Sequence, residues 1–99
     1  MRVVWLDKAE DDYDWQIEYI RARNPSAALE QDERIERQID ALAELPEKGR
    51  AGRIKGTREL IIQGTPLVAV YRVRPRLQRI ETLLLLHHAQ RWPKQRSKT

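Results

Sequence analysis

The chain of 99 residues contains no cysteine, which rules out a disulfide framework and a thiolate metal site, so stability has to come from packing. Long apolar runs are absent too: no stretch approaches the roughly 20 residues that a membrane-spanning helix needs. The opening Met1-Arg2-Val3-Val4-Trp5-Leu6 is too short for a secretion signal and an acidic run follows it. A soluble, cytosolic protein is expected. There are no internal repeats and no low-complexity segment. Histidine is scarce, being confined to the adjacent pair His87 and His88. Acidic residues nearly vanish after Pro46: from Lys48 onward only Glu59 and Glu81 stand against thirteen lysines and arginines.

What is present is therefore unevenly spread. The formal charge is +4 and the isoelectric point about 9.8. The acids lie in the first half and the bases in the second, an asymmetry that points to one face built for an anionic partner.

The elements can be read from pattern. Arg2 to Leu6 reads as a short strand, and Asp7 stands where a helix N-cap would. Acids then fill a first helical turn, where the helix dipole favours them. Ala9, Tyr13, Ile17 and Ile20 share a helical stripe, with Trp15 and Tyr19 on a second. Tyr13, Trp15, Ile17 and Tyr19 also alternate as a strand would, but the acidic start and the length favour helix. Asn24-Pro25 ends this helix and starts another, Asn24 as cap and Pro25 at the first position. Ala28, Ile35, Ile39 and Leu42 form its apolar stripe. Glu30 with Arg34, and Glu33 with Arg37, are four apart in the favourable order. The helix is expected to run to about Leu45-Pro46. Then "KGRAGRIKGT" reads as a loop or irregular strand, followed by strands over 58–63, 67–73 and 79–87 joined by hairpin-length links. The fold class is α+β: an N-terminal strand, an antiparallel helical hairpin, then three to four antiparallel strands in one sheet, with the helices on one face. Residues 1–93 make a single domain and 94–99 a basic tail.

Strict alternation along the last strand puts Ile80, Thr82, Leu84, Leu86 and His88 on the helix side. It puts Arg79, Glu81, Leu83, Leu85 and His87 on the open side, which Arg72 of the preceding strand shares. A histidine titrating near neutrality beside arginines is equipped for acid–base work on a phosphodiester, with the arginines as phosphate clamps. The plainer reading is that His87 ends an apolar strand and His88 bonds within the core. Adjacent histidines on a strand face opposite ways, which makes them poor joint metal ligands. No metal site and no cofactor are expected. Trp92 suits a plug at the sheet's end, a base-stacking platform or a partner contact.

The segments "NPSAALEQDERI", "LPEKGRAGRIKGTREL", "GTPLVAVYRV" and "LLLLHHAQRWP", in this order and spacing, resemble the RelE/ParE superfamily of toxins from type II toxin–antitoxin modules. The resemblance runs from Val4 to Pro93. It implies a helical hairpin on an antiparallel sheet, in agreement with the reading above. It also implies a cytoplasmic protein that arrests growth when released from a cognate antitoxin, with which it forms a hetero-oligomer. Two mechanisms occur in the superfamily. RelE-like members cleave mRNA on the ribosome; ParE-like members inhibit DNA gyrase.

RelE-like nucleases usually carry an arginine where "RLVY" would fall, and here that position is at or near Val68. A C-terminal tyrosine common in that branch is also missing. The chain therefore resembles the ParE-like branch more. Under the nuclease alternative, His87 or His88 would act as acid or base beside Arg72. Under either, Arg50, Arg53, Lys55, Arg58, Arg72 and Arg91 are the expected target- or phosphate-binding residues. The antitoxin is expected to be an acidic, partly disordered chain that folds onto exposed apolar parts of the hairpin and the sheet edge. No membrane partner is expected.

Overall fold

The computed structural model describes residues 1–90 and Trp92. Strand β1 (Arg2–Trp5) leads into helix α1 (Asp7–Arg21) and helix α2 (Pro25–Asp40). The strands β2 (Arg50–Ala51), β3 (Arg58–Ile61), β4 (Leu67–Arg74) and β5 (Arg79–His87) follow. They form one five-stranded sheet in the order β1-β5-β4-β3-β2. Strands β2 to β5 are antiparallel to their neighbours, whereas β1 joins β5 in parallel. The sheet is thus mixed, because the two helices carry the chain over one face between β1 and the rest.

Helix α1 starts one residue earlier than the capping pattern suggested. Leu6 donates its backbone N–H to Thr82 and so extends the strand, and Asp7 becomes the first helical residue instead of the cap. Its carboxylate still faces the positive end of the helix dipole, with Glu10 beside it. Asn24 does cap α2: its Oδ1 accepts from the Ala27 N–H at 3.1 Å, and Pro25 occupies the first turn. Helix α2 stops at Asp40, short of Leu45, and tightens into a 3₁₀ turn over Ala41–Ala43. That turn still delivers Leu42 to the core. The pairs Glu30–Arg34 and Glu33–Arg37 form on the surface.

The core lies between the helices and one face of the sheet. Ile17 of α1 and Ala28, Ile35 and Ile39 of α2 pack on Leu60, Leu67, Ala69, Tyr71, Ile80 and Leu85. Each fully buried Leu or Ile contributes on the order of 1.5–3 kcal/mol. Val3, Trp5, Tyr13 and Ile20 close its margin. The buried Tyr71 ties the sheet to the irregular segment after α2: its hydroxyl donates to the Pro46 carbonyl at 2.7 Å and accepts from the Gly49 N–H at 2.9 Å. Only glycine fits at 49, where a Cβ would lie 2.7 Å from the Tyr71 ring and 2.9 Å from the Glu59 carbonyl.

One irregularity decides which side chains reach which face. In the β4–β5 ladder Tyr71 pairs with Thr82, and the preceding residue of β4, Val70, pairs with Leu84. Leu83 is thus the extra residue of a β-bulge, and a bulge shifts the alternation beyond it by one. Ile80 and Thr82 face the helices, as alternation requires. Past the bulge, Leu85 and His87 face them as well, opposite Ala69 and Leu67. Leu84 and Leu86 turn to the open face, with Val70 and Val68.

Candidate functional site

The open face is organised by two buried carboxylates. Glu81 on β5 is 2 % exposed. It accepts from Arg72 Nε at 2.6 Å, from Arg74 Nη1 at 3.5 Å and from Arg79 Nε at 2.8 Å. Glu59 on β3 is equally buried. It accepts from the Arg53 N–H at 2.9 Å, the Arg53 guanidinium at 3.1 Å and Arg50 Nη2 at 3.3 Å. The bonds to Arg72 and Arg79 hold the Glu81 carboxyl below its ordinary range, against the opposing effect of burial. For Glu59 burial is the largest influence and pushes upward, but the combined bonds from Arg53 and Arg50 outweigh it and the net shift is downward. Both therefore stay ionised at neutral pH, and the arginine heads stay half-exposed above them. Arg2 joins this face through its register with Arg79.

The expected basic residues divide accordingly. Arg50, Arg53 and Arg72 come together on the open face. Arg58 does not: it pairs with Tyr71 and so points to the helix side, where its Nη1 donates to the Gly49 carbonyl at 2.8 Å. Lys55 is exposed in the loop before β3. Arg91 and the tail 94–99 lie outside the described residues. Arg53 also donates to the Trp92 carbonyl at 2.6 Å and lies 5.7 Å from its ring, which places Trp92 beside the Glu59 cluster. Arg74 and Arg79 belong to the site although neither is among the expected target- or phosphate-binding residues. The usable signal was the rarity of acid: the two glutamates of the basic half are the two anchors.

The histidines are not where alternation put them. The bulge at Leu83 turns His87 away from the open face. It lines a groove of about 640 Å³ on the helix side, with Trp15, Tyr19, Ile20, Leu67 and Leu85. His88 does not enter the core. The strand ends before it, it is exposed, and its N–H and ring Nδ1 lie 2.8 and 3.0 Å from the Pro66 carbonyl. Because the strand ends between them, the two rings stack, with centroids 4.8 Å apart. His87 does not share a face with Arg72, and His88 stands past the end of β5, seven residues along the chain from the Glu81 that pairs with Arg72.

The groove has its own character. Beyond Trp5, β1 no longer covers β5, so the β5 edge is open there. Asp12 of α1 accepts from the Leu85 N–H at 3.0 Å, and Gln90 accepts from the His87 N–H at 2.7 Å. Trp15 and Tyr19 stack at 5.3 Å, and Arg23 lies 3.9 Å over the Tyr19 ring. Trp15 is 63 % and Tyr19 48 % exposed, too much for core residues.

With this geometry in view, residues 3–92 match the family described as ParE toxin of type II toxin-antitoxin system, parDE. The chain belongs to the ParE toxin family. A relative from Sinorhizobium fredii (strain NBRC 101917 / NGR234) that bears a toxin designation, Y4kP, is 39% identical over 92 residues, covering 93% of each chain. A solved structure of a chromosomal ParDE TA system from P. aeruginosa superposes with a TM-score of 0.77 at 26% identity, covering 86% of this chain and 92% of that one. This ParE-family chain is accordingly a toxin of the type II toxin–antitoxin class, and its hairpin-on-sheet architecture is that of the family. No helix among the described residues is long and apolar enough to cross a membrane.

Proposed function

We propose that this ParE-family chain arrests bacterial growth by inhibiting DNA gyrase and is held inactive by a cognate acidic antitoxin. The observation that carries the reading is the family match across residues 3–92, which takes in the last strand and both histidines. The geometry agrees with a binding toxin. His87 opens into the helix-side groove, while Arg50, Arg53 and Arg72 stand on the opposite face; His88 is held past the end of β5 on the Pro66 carbonyl, and neither ring has an arginine among its contacts in the described residues. Ribosome-dependent mRNA cleavage therefore has no observation in its favour.

In this reading the open face meets the target and the groove receives the antitoxin. Trp15 and Tyr19 offer the large, rigid apolar area typical of interface anchors. Gln31, which lines the same groove, keeps a buried Oε1 without a partner among the described residues, an acceptor for an incoming N–H. Arg23, 3.9 Å over the Tyr19 ring, offers a cation to an acidic antitoxin chain at the groove's margin. The test is to add the purified toxin to gyrase with relaxed plasmid. Loss of supercoiling, reversed by antitoxin, is expected; undisturbed supercoiling refutes the proposal.

A further inference from the structure

We infer that the open sheet face binds the phosphate backbone of duplex DNA directly. The inference rests on the gyrase reading and deepens it: the toxin grips the DNA that the enzyme holds, and not the enzyme surface alone. Three observations carry it.

The first is charge. Arg2, Arg50, Arg53, Arg72, Arg74 and Arg79 stand on or beside this face against Glu59 and Glu81, an excess of four positive charges. Both carboxylates are buried beneath the guanidinium groups, so what meets a partner is cationic.

The second is remaining hydrogen-bonding capacity. A guanidinium has five N–H donors in a fixed fork. Among the described residues Arg72 uses Nε on Glu81, and Arg74 uses Nη1 in its longest contact. Their other donors are available to a second anion. The anchoring glutamates fix where those donors point, which lowers the ordering cost of binding.

The third is spacing. Glu59 and Glu81 belong to strands on either side of β4, opposite Val70 and Arg72. Two strand spacings of about 4.8 Å and two residues of about 3.4 Å set the two glutamate anchors, around which the arginines gather, roughly 12 Å apart along the backbone. That is about the width of the B-DNA major groove, whose walls are rows of phosphates. An acidic protein surface would satisfy the charge but has no reason to repeat at this distance.

The experiment is fluorescence anisotropy of the purified toxin with a labelled duplex of about 30 base pairs, titrated from 50 to 200 mM salt. With about four phosphates neutralised, affinity is expected to fall about 150-fold over that range, a log–log slope near −3.6. Arg72→Gln with Arg79→Gln should weaken binding and flatten the slope by about 1.8. Because these two residues make the short bonds to buried Glu81, Arg2→Gln with Arg74→Gln is the second pair, Arg74 reaching Glu81 only at 3.5 Å; it should flatten the slope similarly with a smaller loss of melting temperature than the first pair. Arg37→Gln on the helix side should leave binding as it was. The inference is overturned if duplex fails to bind at 50 mM salt, if neither pair of substitutions alters the slope, or if single-stranded RNA of equal length binds more tightly. Gyrase inhibition that persists without DNA binding refutes this inference and leaves the gyrase reading standing. DNA binding without inhibition does the reverse.

Discussion

Arg72 and His87 point to opposite faces of the same sheet. They lie on neighbouring strands, and strict alternation would have put both on the open side. The bulge at Leu83 separates them, pairing Tyr71 with Thr82 and Val70 with Leu84. This separation is the strongest structural argument against acid–base chemistry by the histidines.

It leads to a direct expectation. A general acid or base contributes about 10²–10⁴-fold to a rate. Substituting His87→Gln and His88→Gln together should leave toxin activity within roughly tenfold of the parent, below that range. Dose-dependent inhibition of supercoiling is the measurement. A loss of hundredfold or more would place a histidine in the mechanism.

The groove makes a separate prediction. If Trp15 and Tyr19 anchor the antitoxin, Trp15→Ala should cost about 2 kcal/mol or more of toxin–antitoxin binding, roughly a 30-fold rise in Kd. Calorimetry on the purified pair reads this out. Toxicity of the isolated chain should persist, because the open face is untouched.

The join between Tyr71 and the segment after α2 predicts two stability losses. Tyr71→Phe leaves the Pro46 carbonyl and the Gly49 N–H without their partner and should cost about 1–3 kcal/mol. Gly49→Ala forces a Cβ against the Tyr71 ring and the Glu59 backbone, an overpacking cost of about 1–3 kcal/mol. Each kcal/mol lowers Tm by about 4–8 °C in a domain of this size. An unchanged melting temperature in both variants would contradict the packing described.

Acid should destabilise the chain through its two anchors. Glu59 and Glu81 both titrate below their ordinary value of 4.5. A carboxyl with a depressed folded-state pKa binds protons more readily in the unfolded chain, so its stabilisation is complete above the ordinary value and is lost as pH falls through the folded one. Denaturant midpoints should hold from pH 7 to about 5 and fall below 4.5. The Glu59→Gln, Glu81→Gln double variant should be less stable at pH 7 and show a flatter acid limb.

These relationships differ in how plainly the sequence displays them. The hairpin was legible because Asn24-Pro25 and the stripe Ala28, Ile35, Ile39, Leu42 are local signals with one physical reading each, and cap and stripe both form. The bounds of β5 were legible from its flanking turn and polar end. Its phase was not. The residues Leu83 to Leu86 are four identical apolar side chains, with no polar residue to mark which face each occupies, so a bulge among them leaves no trace. The parallel pairing of β1 was equally hidden, since it depends on where two helices deliver the chain. Basic residues were easy to collect but not to sort. Register turned Arg58 to the helix side and Arg74 and Arg79 to the open face, where buried Glu81 of β5 draws the last two together.

The central claim is that this ParE-family chain acts on gyrase by binding, without cleaving RNA. The most direct test runs two assays on one preparation of toxin: plasmid DNA with gyrase, and mRNA on translating ribosomes. The account predicts loss of supercoiling with accumulation of cleaved DNA complexes, and mRNA left intact. Cleavage of mRNA between codons with supercoiling undisturbed would contradict it.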